Sequence, residues 1–254
     1  MAFSGFDLTD KVVLVTGSGK GIGRGIAIAA AQMGASVLLN SRTRSDLEEV
    51  AAEIQSAGGK AESVVFDISK MEEVARGSQE AMDVWGRVDV LVNNAGTNRP
   101  KPAVEVTEED WDAIYDLNLK GLFFLTQTLV KPMIERKSGK IINIASTMGI
   151  VGGPLRTAYS GSKGGVVLLT KGLAVEWAPY NVTVNAVAPA FTRTPLANVL
   201  LQRKEFYDDV VSRIPMGRVG EVDEVVGAVL FLASEAANWV TGQTIAVDGG
   251  WTAW

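Results

Sequence analysis

Short apolar runs alternate along the chain with longer stretches in which apolar residues recur every three or four positions. The short runs are rich in Val and Ile and are too apolar to have a face in water, which is typical of strands buried on both sides of a parallel sheet. Seven runs predict such strands: Val12–Val15, Val37–Leu39, Val64–Phe66, Val88–Val92, Ile141–Ile144, Val182–Val187 and Thr244–Val247.

The longer stretches between these runs predict helices, so that strand and helix alternate along the chain. Six stretches do so: Gly21–Met33, Asp46–Ala57, Met71–Trp85, Glu108–Thr128, Tyr159–Ala178 and Glu221–Ala233. This order predicts an α/β fold with a three-layer, doubly wound sheet. No linker rich in Pro or Ser and no internal repeat divides the sequence, so we expect one domain over residues 1–254.

One long segment, residues 190–215, has no clear strand pattern. It combines an apolar stretch, Val199–Leu201, with several charged residues. Long insertions at strand ends in compact domains are often functional. We expect this segment to be a mobile, partly helical cover over the functional site.

The composition narrows the chemistry. The 254 residues include no Cys and no His, which excludes disulfides, thiolate nucleophiles, an imidazole base and zinc sites built on those ligands, and we expect no metal. The net charge of −5 argues against a nucleic-acid surface, which needs clustered basic residues. No run approaches the roughly 20 apolar residues of a membrane span, and Met1–Lys11 has neither a basic start nor an apolar stretch, so we expect a cytoplasmic protein without a membrane partner.

A glycine-rich turn, Thr16–Gly23, links the first predicted strand to the first predicted helix. Glycines here let backbone amides approach a pyrophosphate at the positive end of the helix dipole, although the same glycines could serve a tight turn alone. Their place between a buried strand and a helix of small residues favours dinucleotide binding. The turn residues predicted to contact the dinucleotide are Gly17, Ser18, Lys20, Gly21, Ile22 and Gly23.

The end of the second predicted strand distinguishes NAD from NADP, because a carboxylate there accepts a hydrogen bond from the ribose 2′-hydroxyl and repels a 2′-phosphate. This chain has Asn40, Ser41 and Arg42 at that place and no acid. Arg42 offers a planar pair of donors, and Lys20 in the glycine turn adds a second cation. Either one alone is as readily an ordinary surface charge, but together they predict NADP as the cofactor.

Ser146, Tyr159 and Lys163 form the candidate catalytic group. Tyr159 and Lys163 are four residues apart and so share one face of a predicted helix. An ammonium about 4 Å from a phenol contributes roughly 4 kcal/mol at an effective dielectric of about 20, equivalent to about three pKa units, and burial opposes this effect. We expect a lowered pKa that lets Tyr159 act as a general acid and base, while Ser146 donates to the substrate oxygen. Taken singly, a half-buried aromatic and a turn serine would be the plainer interpretations.

Several motifs in this order resemble those of the short-chain dehydrogenase/reductase family over essentially the whole chain. They are the Thr16–Gly23 turn, Asp67-Ile68, Asn93-Asn94-Ala95-Gly96, Asn118, Ser146 and Tyr159-x-x-x-Lys163. Ser146 and Tyr159 are 13 residues apart, which is the family's usual interval. The resemblance implies a Rossmann fold with seven parallel strands, usually a homotetramer, that moves a hydride between NADP(H) and a secondary alcohol or ketone.

The resemblance also implies roles for individual residues. It groups four of them into a catalytic tetrad: Asn118, Ser146, Tyr159 and Lys163. In such enzymes the lysine also holds the nicotinamide ribose, and the asparagine keeps a water chain that carries protons. The other implied contacts are Asp67 and Ile68 at the adenine, Asn94 and Gly96 at the adenosine ribose, and Pro189, Thr192 and Thr194 at the nicotinamide carboxamide. The family commonly has Gly where this chain has Ala190, which leaves the backbone there less permissive.

The walls of the substrate pocket are expected at Thr97–Arg99, Met148–Arg156 and the cover segment, because these follow the carboxyl ends of strands. Arg99 and Arg156 could each bind a carboxylate or be ordinary surface residues. The identity of the substrate is open at this point.

Within the family, the chain looks most like members that act on sugars, polyols or keto acids, such as gluconate 5-dehydrogenase. It is similar nearly as well to 3-oxoacyl-(acyl-carrier-protein) reductase, in which an acidic carrier docks on basic residues beside the pocket. Lys137 occupies one such place, and Tyr180 stands at the other. A non-catalytic NADP-binding sensor or scaffold ranks lower, because all four tetrad residues are present.

Overall fold

The computed structural model describes residues 5–253. Its strands are β1 (Val12–Thr16), β2 (Ser36–Ser41), β3 (Lys60–Val65), β4 (Val90–Asn93), β5 (Gly139–Ile144), β6 (Val182–Pro189) and β7 (Thr244–Val247). They form one sheet in the order β3-β2-β1-β4-β5-β6-β7, and all pairings are parallel. Each strand lies where an apolar run predicts one, so the predicted doubly wound sheet is confirmed.

Within the described residues, nine α-helices accompany the sheet: α1 (Gly21–Gln32), α2 (Arg44–Ser56), α3 (Met71–Trp85), α4 (Glu108–Tyr115), α5 (Leu122–Glu135), α6 (Thr157–Trp177), α7 (Pro195–Leu201), α8 (Lys204–Ser212) and α9 (Val222–Ala233). The prediction of one helix over Glu108–Thr128 needs correction, because a π-helix, Asp116–Gly121, separates α4 from α5. At the end of this π-helix, a β-carbon on Gly121 would lie only 2.1 Å from the carbonyl oxygen of Ile68. Such an approach to another element cannot be inferred from helical periodicity.

The sheet is buried on both faces. Val13 and Val15 of β1 pack in a cluster with α1, α2 and α9, whereas Val12 and Leu14 pack on the opposite face with α3, α5 and α6. Successive strand residues point to opposite faces, so both faces must be apolar when helices cover both. This accounts for strand sequences that have no polar side.

The strand order reverses at β1, which pairs with β2 on one side and with β4 on the other. The connections leave these two strands in opposite directions, so a crevice opens at their carboxyl ends. The glycine turn follows β1, the Asn94–Gly96 segment follows β4, and Ser146 follows the neighbouring β5. The topology therefore gathers most of the predicted site residues at one edge of the sheet.

Residues 190–215 are partly helical, as expected, because they contain α7 and α8. Leu201, Val210 and Ile214 of this segment are buried in a small apolar cluster, against which Phe191 and Trp251 pack. The segment is therefore fastened to the carboxyl-terminal end of the chain. Its mobility and its role as a cover stay predictions.

Among the described helices, none combines the length and the apolar character needed to cross a bilayer. The first four residues of the Met1–Lys11 segment lie outside the described residues.

Candidate active site

The glycine turn requires glycine at Gly17 and Gly23. Gly17 has a φ of +64°, a left-handed conformation that favours glycine, and a β-carbon on Gly23 would lie 2.3 Å from the carbonyl oxygen of Gly17. Gly21 and Ile22 then form the first turn of α1. Lys20, the N-cap residue, makes no side-chain cap, and this first turn carries no acid. The uncapped amides and the helix dipole suit a pyrophosphate.

The hydroxyl groups of the turn hold it to the neighbouring strands. The Thr16 hydroxyl accepts hydrogen bonds from the amides of Asn94 and Ala95 at 2.9 and 3.0 Å. The Ser18 hydroxyl accepts one from the amide of Asn40 at 3.0 Å, and Ser18 has no exposed surface. Ser18 is therefore enclosed between the ends of β1 and β2 and supports the turn, and its contact with a dinucleotide stays a prediction.

The two cations predicted to bind a 2′-phosphate each have a carboxylate neighbour. Lys20 Nζ lies 3.0 Å from Asp46 Oδ2, and Arg42 Nη1 lies 3.6 Å from Asp67 Oδ2. Both basic side chains are more than two-thirds exposed, so these ion pairs are weak and the cations can turn toward an anion. Asp46 was not predicted as part of the site. It is the acid of the first turn of α2, a position that acids favour in any helix, so its presence carries no separate signal.

The segment after β3 carries an ionised acid. Asp67 accepts hydrogen bonds from the amide and the hydroxyl of Ser69 at 2.9 and 2.8 Å. Burial acts to raise the pKa of Asp67, but these hydrogen bonds and the charges of Arg42 and Lys70 bring it below its usual value. Ile68, the next residue, is buried. Asp67 therefore offers a carboxylate at the edge of the crevice at neutral pH.

Three of the four tetrad residues meet at the carboxyl end of β5. Lys163 is 4% exposed, and its Nζ donates to the carbonyl oxygen of Ile144 at 2.7 Å. Ser146 follows two residues later and acts to lower the pKa of the Tyr159 phenol, which lies beside it. Lys163 Nζ lies 5.9 Å from the centroid of the Tyr159 ring. Strand β5 and helix α6 thus bring the hydroxyl, the phenol and the ammonium to one place.

Asn118 joins them from the π-helix. Its Oδ1 accepts from the amide of Thr97 at 2.8 Å, and its Nδ2 donates to the carbonyl oxygen of Thr97 at 2.9 Å and to the hydroxyl of Ser162 at 3.1 Å. A β-carbon on Gly96 would lie 3.2 Å from Asn118 Oδ1 and 3.4 Å from Lys163 Nζ. Asn118 therefore lies close to Lys163 and is bonded to α6, the helix that carries Tyr159 and Lys163. Sequence reasoning missed Ser162, its partner on α6.

A network of buried polar side chains connects the strands and helices that carry the tetrad. Asn93 Nδ2 donates to Thr126 Oγ1 and to Asn143 Oδ1, both at 2.9 Å, and Asn143 Nδ2 donates to Thr170 Oγ1 at 2.9 Å. These bonds tie β4 and β5 to α5 and α6. The signal that could have found the network is Asn143 itself, a polar residue inside an apolar strand.

The pKa of Tyr159 departs from expectation. Burial raises the pKa of Tyr159 above its usual value, against a hydrogen bond with Ser146 and the charge of Arg156, which act to lower it. Burial also lowers the pKa of Lys163 to about 8. The expectation of a lowered pKa for Tyr159 is wrong in direction, because burial penalises the charged phenolate and outweighs Ser146 and the charge of Arg156, which act to lower the pKa.

The segment after β6 reaches the glycine turn. A β-carbon on Gly21 would lie 3.4 Å from Cβ of Thr194, the residue that caps α7. Thr192 is buried, and its hydroxyl donates to the carbonyl oxygen of Ala190 at 3.2 Å. Pro189 ends β6. Ala190 does not have a positive φ, so its replacement of the family's glycine introduces no backbone strain.

The two arginines of the expected pocket walls differ in their partners. Arg99 lies 3.2 Å from Asp110 and 3.7 Å from Glu109. Arg156 lies beside the aromatic ring of Phe191, with its guanidinium carbon 5.3 Å from the ring centroid. The structure thus assigns Arg99 an ion pair of its own.

Lys137 and Tyr180 precede β5 and β6, so they lie at the amino-terminal edge of the sheet. Ser146 lies beyond the opposite edge, and a strand of six residues spans roughly 20 Å. Asn181, next to Tyr180, donates to the carbonyl oxygen of Lys137 at 3.0 Å, so the two positions are neighbours. The expectation that they stand beside the pocket needs correction within one copy of this chain.

Comparisons with known proteins place these features among relatives. A family model described as enoyl-(acyl carrier protein) reductase matches residues 17–252. The 3-oxoacyl-(acyl-carrier-protein) reductase FabG of Thermotoga maritima is 41% identical over 243 residues, covering 96% of this chain and 98% of that protein. Gluconate 5-dehydrogenase of Gluconobacter oxydans is 38% identical over 247 residues, covering 97% and 96%. The crystal structure of a gluconate 5-dehydrogenase from Burkholderia cenocepacia in complex with NADP and tartrate has a TM-score of 0.95 and 38% identity, and the match covers 99% of this chain and 98% of that one.

Proposed function

Because this chain belongs to the short-chain dehydrogenase/reductase family, we propose that it uses NADP(H) to interconvert a secondary alcohol and a ketone on a sugar-, polyol- or keto-acid-type substrate. Membership of the family makes it an oxidoreductase acting on CH–OH donors. The observation that carries the proposal is that Ser146, Tyr159 and Lys163 meet at the carboxyl end of β5. The glycine turn lies at the same edge of the sheet.

The donor set at the crevice fits a dinucleotide phosphate. The uncapped amides of α1 suit the pyrophosphate, and Lys20 and Arg42 suit a 2′-phosphate. The ammonium of Lys163 is next to Gly96 and suits a ribose hydroxyl. The other residues proposed to hold NADP are Asp67, Ile68, Asn94, Pro189, Thr192 and Thr194. The similar structure from B. cenocepacia was solved with NADP, which supports this choice. Residues 190–215 are proposed to cover the bound molecules.

When bound, NADP(H) supplies the acceptor or the donor of hydride. In reduction, the phenol of Tyr159 gives its proton to the carbonyl oxygen; in oxidation, its phenolate takes the proton of the alcohol. Ser146 donates to the same oxygen and stabilises the negative charge that develops there. Since burial raises the pKa of Tyr159, the protonated phenol predominates at neutral pH, and we expect the rate of oxidation to rise as the pH increases.

A substrate panel tests the proposal. The wild-type protein and Tyr159→Phe are assayed for NADP(H) turnover with sugar acids, polyols, keto acids and an acetoacetyl thioester. We expect turnover of a sugar-type or keto-acid substrate by the wild-type protein, and its loss in the variant while NADPH binding, followed by fluorescence, is retained. A protein that binds NADPH and turns over none of these compounds would instead be the non-catalytic sensor or scaffold.

A 3-oxoacyl-(acyl-carrier-protein) reductase is the second candidate. The 41% identity to the T. maritima enzyme favours it. The same panel separates the two functions, because that reductase would turn over the acetoacetyl thioester much faster than any sugar acid or polyol.

We further propose that the protein is a homotetramer. An apolar groove lies on the outer side of α4, the π-helix, α5 and α6, and its apolar lining is Tyr115, Leu119, Phe123 and Leu169. Exposed apolar surfaces of this kind often mark protein interfaces. Light scattering after size exclusion is expected to give about four times the 27.0 kDa of one chain. We also propose that the enzyme works in the cytoplasm, which cell fractionation tests.

A further inference from the structure

Arg156 differs from the other partly buried arginines of the described chain. Arg24 and Arg136 each contact a carboxylate, that of Glu53 and that of Asp89. Within residues 5–253, no carboxylate lies within 4 Å of the Arg156 guanidinium, which has only a long hydrogen bond of 3.5 Å to a carbonyl oxygen of its own loop. Burying a charge without a counter-charge costs free energy, so the site gains stability when an anion binds there.

The position of Arg156 relates this charge to the reacting group. Arg156 is the N-cap residue of α6 and precedes Tyr159 by three residues. Its guanidinium carbon lies 5.3 Å from the ring centroid of Phe191, which follows β6. Residues three apart lie on one face of a helix, so the guanidinium and the phenol leave α6 on the same side, and the charge of Arg156 acts to lower the pKa of Tyr159, which burial raises. Arg156 therefore stands between α6 and the segment after β6, on the side of the phenol.

The surroundings hold the guanidinium in place. Phe191 is packed edge-on against Phe206, with ring centroids 5.7 Å apart, and lies 5.8 Å from Trp251. On the other side, Leu155 has a φ of +63°, and its carbonyl oxygen accepts from the amide of Lys101 at 2.9 Å. A leucine in the left-handed region is strained, and such strain persists where the surrounding structure fixes it, commonly at functional sites.

We propose that Arg156 binds a carboxylate of the substrate, so that the enzyme acts on hydroxy acids and keto acids in preference to neutral polyols and thioesters. The inference rests on the proposed function of the site. A guanidinium matches a carboxylate through two parallel N–H···O bonds, and a guanidinium already held against an aromatic ring loses little freedom on binding. Arg99, the other candidate, already pairs with Asp110 and Glu109 and serves as the control.

The test compares a substrate that carries a carboxylate with neutral compounds of the same chain length. D-Gluconate and D-gluconamide share one carbon skeleton, and D-glucitol is the neutral polyol. We expect the wild-type protein to have a kcat/KM for gluconate at least tenfold above that for gluconamide. Arg156→Met is expected to lower the ratio of these two values by about 30-fold, through the KM for gluconate, Arg156→Lys to lower it by less, and Arg99→Met to leave it unchanged. The ratio cancels any effect of Arg156 on Tyr159, because both substrates share that step.

Binding supplies a second readout. Trp251 packs against Phe191, so its fluorescence is expected to respond to gluconate added to the NADP-loaded protein, and this response should be lost in Arg156→Met while NADPH binding and the melting temperature are kept. If Arg156→Met weakens gluconate and gluconamide equally, or if the wild-type protein does not distinguish them, the inference is wrong. If gluconate binds through Arg156 but no compound is turned over, the proposed function fails, whereas the assignment of Arg156 as the carboxylate-binding residue stands.

Discussion

Lys163 of the tetrad and the two cations proposed to bind the 2′-phosphate, Lys20 and Arg42, differ in the surroundings of their charges. Lys163 is buried, donates to the main-chain carbonyl of Ile144 and has no ion pair with any of the described carboxylates. Lys20 and Arg42 have side chains that are 70% and 73% exposed, and each stands beside a carboxylate. A charge in the interior interacts strongly with its neighbours, whereas an exposed one is screened by water. We therefore expect large effects from changes in the tetrad and small ones at the cations.

The largest expected effect comes from Tyr159→Phe. The change removes the proton that the proposed mechanism moves, so kcat should fall by about 1,000-fold. Tyr180→Phe, at an exposed tyrosine on the far edge of the sheet, is the matched control and should keep full activity. A Tyr159→Phe protein that retains a tenth of the wild-type kcat would show that another group moves the proton.

Lys163→Met is expected to abolish most activity and to stabilise the fold. Burial lowers the pKa of Lys163 from 10.5 to about 8, so below pH 8 the folded protein holds a buried charge at a cost of up to about 3 kcal/mol. Between pH 8 and pH 10.5 the unfolded chain keeps a proton that the folded chain has lost, so the stability that this group contributes rises with pH in that window.

Thermal unfolding at several pH values checks this expectation. The melting temperature of Lys163→Met should exceed that of the wild-type protein at pH 7, and the difference should shrink by pH 10. Lys140→Met is the matched control, because burial also lowers the pKa of Lys140 to about 8, at the amino-terminal end of β5. It should gain stability in the same way and keep its activity. A Lys163→Met protein that is less stable than wild type at pH 7 contradicts the argument.

Removing both exposed cations should change cofactor choice and leave catalysis intact. For the double variant Lys20→Ala with Arg42→Ala we expect the KM for NADP to rise by about 30-fold and the KM for NAD to change by less than about threefold, because only the 2′-phosphate contacts are lost. Arg76→Ala, at an exposed arginine paired with Glu80 on α3, is the control. Equal losses for both cofactors would place the two cations elsewhere than at the 2′-phosphate.

The smallest expected effect is a gain. Asp46→Asn removes the carboxylate 3.0 Å from Lys20, which frees that cation for the 2′-phosphate. Since exposed ion pairs are worth at most about 1 kcal/mol, the KM for NADP should fall by about threefold. Glu53→Gln, which removes the partner of Arg24 on the same helix, should have no such effect. An unchanged or higher KM for NADP in Asp46→Asn would mean that Asp46 does not compete for Lys20.

The features that could be predicted from the sequence are those that depend on local patterns. The strands were predictable because helices cover both faces of the sheet, which requires apolar runs such as Val12–Val15. The meeting of Tyr159 and Lys163 with Ser146 was predictable because one helical spacing and one strand end place them. These are local consequences of period and topology.

What could not be predicted depends on contacts between elements that are distant in the sequence. The π-helix lies where Gly121 approaches the carbonyl oxygen of Ile68, more than 50 residues earlier in the chain. The direction of the Tyr159 pKa shift depends on how deeply the phenol is buried and on the place of Arg156. The pairing of Lys20 with Asp46 depends on how α2 lies against the glycine turn. None of these follows from the spacing of residue types.

The bond from Lys163 to the carbonyl oxygen of Ile144 also bears on how this site tolerates genetic change. The acceptor belongs to the peptide backbone, which every amino acid shares, so no substitution of residue 144 can delete it. Random mutation can vary the side chain there, within the volume available, without untethering the ammonium. Related proteins can therefore differ at residue 144 and still keep the hydrogen bond that holds this lysine.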